Sequence, residues 1–216
     1  MTDVKRGYDT TRRRAQAETT RQDVLDAAGR LFTAHGYAAT TVDEIAAEAG
    51  VSRETIFKAF GTKRQLLRLW VEREVAGPEE PVPIRRQAWM RRIEEAGEQR
   101  RQLEIAVAGA RRIHDRAVDA VDVMRAAAHA DPEIAALWDE ARRQRREDVG
   151  AVTELVAATG PTRSDLSSEE VVDVVYALTS PELYDLLVRQ CGWRPERFER
   201  WLFESLLHLA LGPSRD

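Results

Sequence analysis

Residues 40–67 read TTVDEIAAEAGVSRETIFKAFGTKRQLL, and the punctuation of this stretch decides the fold. Thr41 precedes VDEIAAEAG, with Glu44 three residues on. At that spacing a threonine hydroxyl and a glutamate carboxylate satisfy each other's orphan amides at a helix start. Val42, Ile45, Ala46 and Ala49 form the apolar stripe of this short helix, and Gly50 ends it. Ser52 caps a second helix, Arg53 to Phe60, with Val51, Ile56 and Phe60 turned inward. Gly61 breaks it, Thr62 caps again, and Lys63 to Ala76 continues as helix through Leu66, Leu67, Trp70 and Val71. A helix-turn-helix needs a small residue where its helices touch, a glycine at the turn and apolar residues holding the second helix at its angle. Ala46, Gly50, Val51 and Ile56 fall at those places. The second helix then exposes Arg53, Glu54, Thr55, Phe57, Lys58 and Ala59, the face that such a motif lays in the major groove.

Upstream, Val24, Leu25, Ala28, Leu31 and Phe32 recur at helical spacing, so Thr20 to His35 reads as an amphipathic helix closed by Gly36. Arg12, Arg13 and Arg14 form a basic run near the terminus, read either as a minor-groove arm or as solvated charge. Downstream, Pro78, Pro81 and Pro83 remove amide donors within six residues and mark a connection. A short helix from Ile84 to Glu95 is expected after it. From Glu98 onward the pattern is long-helical, through Leu103, Ile105, Val107, Ile113, Val118, Val121 and Met124. Asp131-Pro132-Glu133 opens a helix to about Ala158, and Ser167/Ser168 opens the next. Pro181 kinks or restarts that one, and Arg194-Pro195-Glu196 begins the last. No alternating strand pattern of useful length is present. The expected fold class is all-α.

Composition narrows the function. The chain has 216 residues and one cysteine, Cys191, so neither an internal disulfide nor a thiolate metal site can form. A reducing cytoplasm fits. No apolar run approaches the roughly 18 residues of a membrane span, and the N-terminal basic residues have no apolar stretch behind them, so no secretory signal is expected. The net charge of −4 is unevenly spread. Residues 1–77 carry 13 Lys and Arg against 11 Asp and Glu, while the remainder carries 20 against 26. His35, His114, His129 and His208 are scattered, with no HExxH, no glycine-rich phosphate loop and no G-x-S-x-G turn. Glu204 and His208, one helical turn apart, read as a surface pair. No enzyme, cofactor or metal is expected.

The quoted stretch, with the preceding LFTAHGYAATT, resembles the DNA-binding signature of the TetR (tetracycline-repressor-like) family of bacterial transcriptional regulators over about residues 20–76. The resemblance implies that Thr41 and Ser52 cap helices aimed at phosphates, that Thr55 meets the duplex, that Lys63 anchors a phosphate and that Arg53 reads a base. Lys58 takes a phosphate or a base edge, and Glu54 reads a cytosine amino group or selects against wrong sites. Phe57 departs from the tyrosine of many relatives and loses its phosphate bond, while keeping the ability to pack on a thymine methyl.

For the body the resemblance implies architecture. The expected layout is an arm over 1–19, a helix-turn-helix domain over 20–66 with helix 63–76 connecting, a connection over 77–97, and a helical effector-binding and dimerisation domain over 98–216. Trp89, Ile105, Ile113, His114, Met124, Trp138 and Tyr176 are candidates to line an effector pocket, although each reads more readily as ordinary core or surface. His114, beside Arg111, Arg112 and Asp115, also reads as part of a solvated cluster. Leu183, Leu186, Phe198, Trp201, Leu202 and Leu209 are candidates for a homodimer interface or for intrachain core. The implied partners are a palindromic double-stranded DNA operator, a second copy of the chain and a largely apolar small-molecule effector, with no membrane. The implied activity is repression relieved by that effector through a shift of the connecting helix. An activator of the same family, or a helical ligand- or protein-binding module that no longer contacts DNA, remain as alternatives.

Overall fold

The computed structural model describes residues 4–77 and 84–211, and side chains from residue 15 onward. The Arg12–Arg14 side chains and the prolines Pro78, Pro81 and Pro83, read above as an arm and a connection, therefore lie outside what is described. The helices in order are α1 (Val4–Ala39), α2 (Val42–Glu48), α3 (Arg53–Phe60), α4 (Lys63–Ala76), α5 (Ala88–Ala96), α6 (Gln99–Ala128), α7 (Pro132–Ala157), α8 (Ser168–Leu178), α9 (Pro181–Tyr184) and α10 (Pro195–Leu209). A single 3₁₀ turn, Ile84–Arg86, precedes α5. Among the described residues the one β-type pairing joins Thr162 to Leu211. The fold is all-α, as the periodicity predicts.

Two compact units make up the chain: Met1–Glu72 with Asp122–Ala136, and Arg73–Val121 with Leu137–Asp216. In the first, Val24, Leu25, Ala28 and Phe32 of α1 are buried, as are Ile45 and Ala46 of α2, Ile56 and Phe60 of α3, and Leu66, Leu67, Trp70 and Val71 of α4. The expected stripes supply this core. Helix α1 is longer than the apolar pattern predicts, because its backbone is helical from Val4, across most of the segment expected as an arm. Side-chain bonds one turn apart accompany the helix over residues 15–22. The Thr19 and Thr20 hydroxyls donate to the Ala15 and Gln16 carbonyls at 3.1 and 3.0 Å, and the Gln22 amide donates to Glu18 at 2.7 Å. Gly36, at φ 79° and ψ 160°, breaks the helical path before Ala39, a conformation that side chains with a Cβ resist.

Gly29 is required by packing. A Cβ there would lie 2.5 Å from Trp70 Nε1 and 2.7 Å from Trp70 Cε2. The indole cannot step aside, since Trp70 is buried with its ring centroid 5.9 Å from that of Phe32. Alanine in place of glycine gains about 1 kcal/mol of helix propensity, but overpacking a core costs about 1–3 kcal/mol. Packing wins. Gly29→Ala is expected to lower stability by about 1 kcal/mol net, and equilibrium urea unfolding checks it; an unchanged or raised midpoint contradicts the close approach.

In the second unit, Leu103, Val107 and Val118 of α6 share a core with Val156 of α7, Val171 of α8, Tyr184, and Phe198, Leu202 and Leu206 of α10. Met90 and Ile93 of α5 form a smaller cluster with Ile105. The predicted break at Pro181 is present. Helix α8 ends at Leu178, the Ser180 hydroxyl accepts the Leu183 amide at 3.2 Å, and Pro181 occupies the first turn of α9, where its missing donor costs nothing. The chain then widens into a π-helical turn over Asp185–Gln190, with the Cys191 amide on the Leu186 carbonyl at 2.9 Å. Apolar periodicity does not announce that widening.

Candidate nucleic-acid interface

The helix-turn-helix is built by three local devices. At the start of α2 the Thr41 amide donates to Glu44 Oε2 at 2.7 Å and the Glu44 amide to Thr41 Oγ1 at 3.2 Å, the reciprocal cap read from the sequence. These bonds hold the exposed Glu44 carboxyl below its usual range. At the turn, Gly50 takes φ 66° and the Val51 amide reaches the Ala46 carbonyl at 3.0 Å. At the start of α3 the Ser52 hydroxyl accepts the Thr55 amide at 3.2 Å.

Side chains then fix the helices to one another. Arg30 on α1 pairs with Glu48 on α2 at 3.0 Å. Arg21 on α1 donates to the Ala59 carbonyl near the end of α3 at 3.3 Å and lies over the Phe60 ring. With Ile56 and Phe60 buried, α3 presents Ser52, Arg53, Glu54, Thr55, Phe57 and Lys58 to solvent. Phe57 is 41% exposed. Lys58 has no protein partner among the described residues.

Two cations on or beside this face already have protein partners. Lys63 Nζ donates to the Tyr37 carbonyl at 2.8 Å and the Thr40 carbonyl at 2.7 Å, and lies 4.1 Å from the centre of the Tyr37 ring. Burial pulls its pKa down, against the opposing pull of Asp131 and Glu44. Two of its three N–H groups thus tie α4 to the segment between α1 and α2. Arg53 Nη1 meets the Asp43 carboxylate on α2 at 2.8 and 3.2 Å, with its guanidinium 5.2 Å from the centre of the Phe57 ring. Sequence reasoning passed over Asp43 and Tyr37. The signal for both lies only in the motif's geometry, which brings the first turns of α2 and α3 together and sets the α1–α2 segment against α4.

The candidates in the body scatter. Ile105 is buried in the smaller cluster. Trp89 donates its indole N–H to Gln87 at 2.7 Å and lies against Gly109. Ile113 and Trp138 are half-buried. Tyr176 is half-buried too, with the Arg145 guanidinium 4.1 Å from its ring centre. Met124 is buried in the first unit, whereas the other six belong to the second. His114 is not solvated. It is 7% exposed, with Nε2 3.0 Å from the Thr179 carbonyl and its ring stacked on Tyr184. Burial, reinforced by the Arg145 charge, lowers its pKa to about 4. The Tyr184 hydroxyl donates to Asp115. A groove of about 790 Å³ runs between α7 and α8, bordered by Arg143, Arg146, Thr153, Ser168 and Val171, and none of the seven candidates lines it.

Of the six residues considered for a dimer interface, Phe198 and Leu202 are fully buried within the chain. Side chains with no exposed surface offer a partner nothing, so these two are intrachain core. Leu186 and Leu209 are 45% and 48% exposed, and Leu183 and Trp201 are half-buried. No helix among the described residues is long and apolar enough to cross a membrane, and none of their His, Cys, Asp and Glu side chains form a group able to hold a metal ion.

A capped, glycine-turned pair of helices presenting a polar face, carried on a larger helical body, defines a helix-turn-helix protein. Residues 24–69 match the sequence profile of the bacterial regulatory proteins, tetR family. The chain is 43% identical over 53 residues to the HTH-type transcriptional regulator SrpR of Pseudomonas putida, a match spanning 24% of this chain and 25% of SrpR. The likeness to that relative is thus confined to a quarter of its length. Two solved structures share the fold far more widely. NalD, the secondary repressor of the MexAB-OprM multidrug efflux pump in Pseudomonas aeruginosa, covers 90% of this chain and 98% of its own at a TM-score of 0.66 and 17% identity. SmeT in complex with triclosan covers 90% and 92% at a TM-score of 0.68 and 18% identity. The similarity to the tetR family is thus shown for residues 24–69, and the likeness of fold extends over the rest of the chain.

Proposed function

We propose that the chain is a sequence-specific DNA-binding transcriptional regulator, not an enzyme, which acts as a homodimer on a palindromic operator and represses until a small-molecule effector releases it. The observation that carries this reading is α3: its apolar side is locked into the domain while Arg53 and Thr55 stand exposed at its capped N-terminal half and Lys58 in its last turn. Such a helix enters the major groove with those residues at base edges and phosphates. One helix gives few contacts, so tight binding calls for two recognition helices on half-sites about one helical turn apart. Leu186 and Leu209 supply exposed apolar surface for the second copy. Repression and an apolar effector are supported by NalD, described as a repressor, and by SmeT, which holds triclosan. Thr41 and Ser52 cap helices whose N-termini attract phosphate, and Lys63 keeps one donor for the same purpose.

Arg53→Ala is expected to weaken operator binding by about 1–3 kcal/mol and to relax preference at one base pair per half-site. Titrations against operators varied one base pair at a time check this, and a uniform loss across all sequences contradicts a base-reading role. Sedimentation of the protein with operator tests the dimer: two protomers per duplex are expected, and one per duplex contradicts it. Effector control is tested by measuring the distance between labels on the two recognition helices. Release of DNA by a ligand with that distance unchanged contradicts control through helix spacing.

A further inference from the structure

The geometry points to Asp43 as a specificity-determining positioning residue: from α2 it holds the Arg53 guanidinium of α3 in place to read a base. This inference rests on the DNA-binding reading above and extends it to a residue that does not itself reach the bases. Three observations carry it. Both oxygens of the Asp43 carboxylate face Arg53 Nη1, at 3.2 and 2.8 Å. The Arg53 guanidinium also lies over Phe57, one turn along α3, at 5.2 Å from the ring centre. Neither Nε nor Nη2 of Arg53 has a partner among the described residues. Nε and Nη2 form one edge of the guanidinium fork, an edge with two parallel donors matching the paired acceptors O6 and N7 of guanine.

The pair is exposed, with 54% of the Arg53 and 64% of the Asp43 side chain accessible, so it contributes little to folding. Its consequence lies in recognition. A free arginine on a DNA-facing surface has many rotamers and is drawn to any phosphate, which strengthens binding to every sequence alike. Fixing it from one side by a carboxylate and from below by a ring removes most of those rotamers before DNA arrives, so less freedom is lost on binding. The Asp43 charge also repels phosphate oxygens, which disfavours alternative poses of Arg53 on the backbone. Phe57 thereby gains a role that tyrosine is not needed for: a platform for the guanidinium.

The test uses the full-length chain, its selected operator, that operator varied one base pair at a time, and unrelated duplex. For Asp43→Asn, discrimination at the base pair lost in Arg53→Ala is expected to fall about tenfold, with discrimination elsewhere unchanged. Affinity for unrelated duplex should rise several-fold, with the salt slope steepening by about one per protomer. Asp43→Ala should behave alike, and both variants should keep the wild-type thermal midpoint within a few degrees. Unchanged discrimination at that base pair in Asp43→Asn overturns the proposal, as does an Arg53→Ala variant whose preferences match the wild type. If discrimination falls equally at every position, Asp43 supports the fold of the domain and does not position Arg53. A wild-type protein with no preferred sequence removes the DNA-binding reading itself, and this inference with it.

Discussion

Raising salt from 50 to 200 mM is expected to weaken operator binding by about a thousandfold. The reason is counterion release. A dimer making about six phosphate contacts displaces condensed cations from the duplex, and the logarithm of affinity falls linearly with that of salt at a slope near −5. In the proposed reading, Lys58 and the remaining Lys63 donor give four of these contacts per dimer, and the four N-termini of α2 and α3 behind Thr41 and Ser52, at about half a charge each, supply the equivalent of two more. The net charge of −4 does not oppose this, because the excess of acid lies beyond residue 77 while the front carries the small basic excess. Anisotropy titrations across that salt range measure the slope. A loss below tenfold would mean that the exposed face of α3 makes few phosphate contacts and that the front of the chain is not a DNA reader.

Acid is expected to cost the second unit about 3 kcal/mol through one side chain, as pH falls from above 6.5 to 4. His114 is held neutral in the fold, with its pKa lowered to about 4 by burial first and by the Arg145 charge second. The unfolded chain takes up a proton near pH 6.5. Above that value both states leave the imidazole neutral and its full contribution is present; between 6.5 and 4 only the unfolded state is protonated, and stability drains away. His114→Gln keeps a donor for the Thr179 carbonyl and removes the titration. Denaturant unfolding of both proteins at pH 7 and pH 4 isolates the effect, since other groups titrate equally in each. The wild type should lose about 3 kcal/mol more than the variant, and equal losses would show that His114 is accessible to protons in the native state.

What the sequence carries legibly is what the chain decides within a few residues. Thr41 with Glu44, Ser52 with Thr55, Ser167 with Glu170, and prolines 181 and 195 in first turns are all contacts between near neighbours, and each sits where spacing places it. The recognition face follows from them, because Ile56 and Phe60 commit one side of α3 to the core. Contacts between helices are another matter. Arg53 with Asp43 and Lys63 with Tyr37 and Thr40 depend on a crossing angle and on the path of a turn, and no periodicity encodes either.

His114 shows how reading along the chain misleads. Arg111 and Asp115, four residues apart, bond to each other on one side of α6, while His114 sits about 100° round the helix and faces the core. Phe198, Leu202 and Leu206 recur every fourth residue, a stripe that suits either a partner or the chain's own interior. Burial assigns it to the interior and leaves Leu186 and Leu209 outside. Before Thr20 there is no apolar stripe, so helical spacing gives no sign that α1 begins at Val4.

The central claim, that α3 reads a specific sequence as one of a symmetric pair, meets its most direct test in selection. The purified full-length protein is mixed with random duplex DNA at low and moderate salt, and the retained fraction is sequenced. A two-fold-symmetric consensus with half-sites about one helical turn apart is expected. Retention of no preferred sequence at either salt would contradict it.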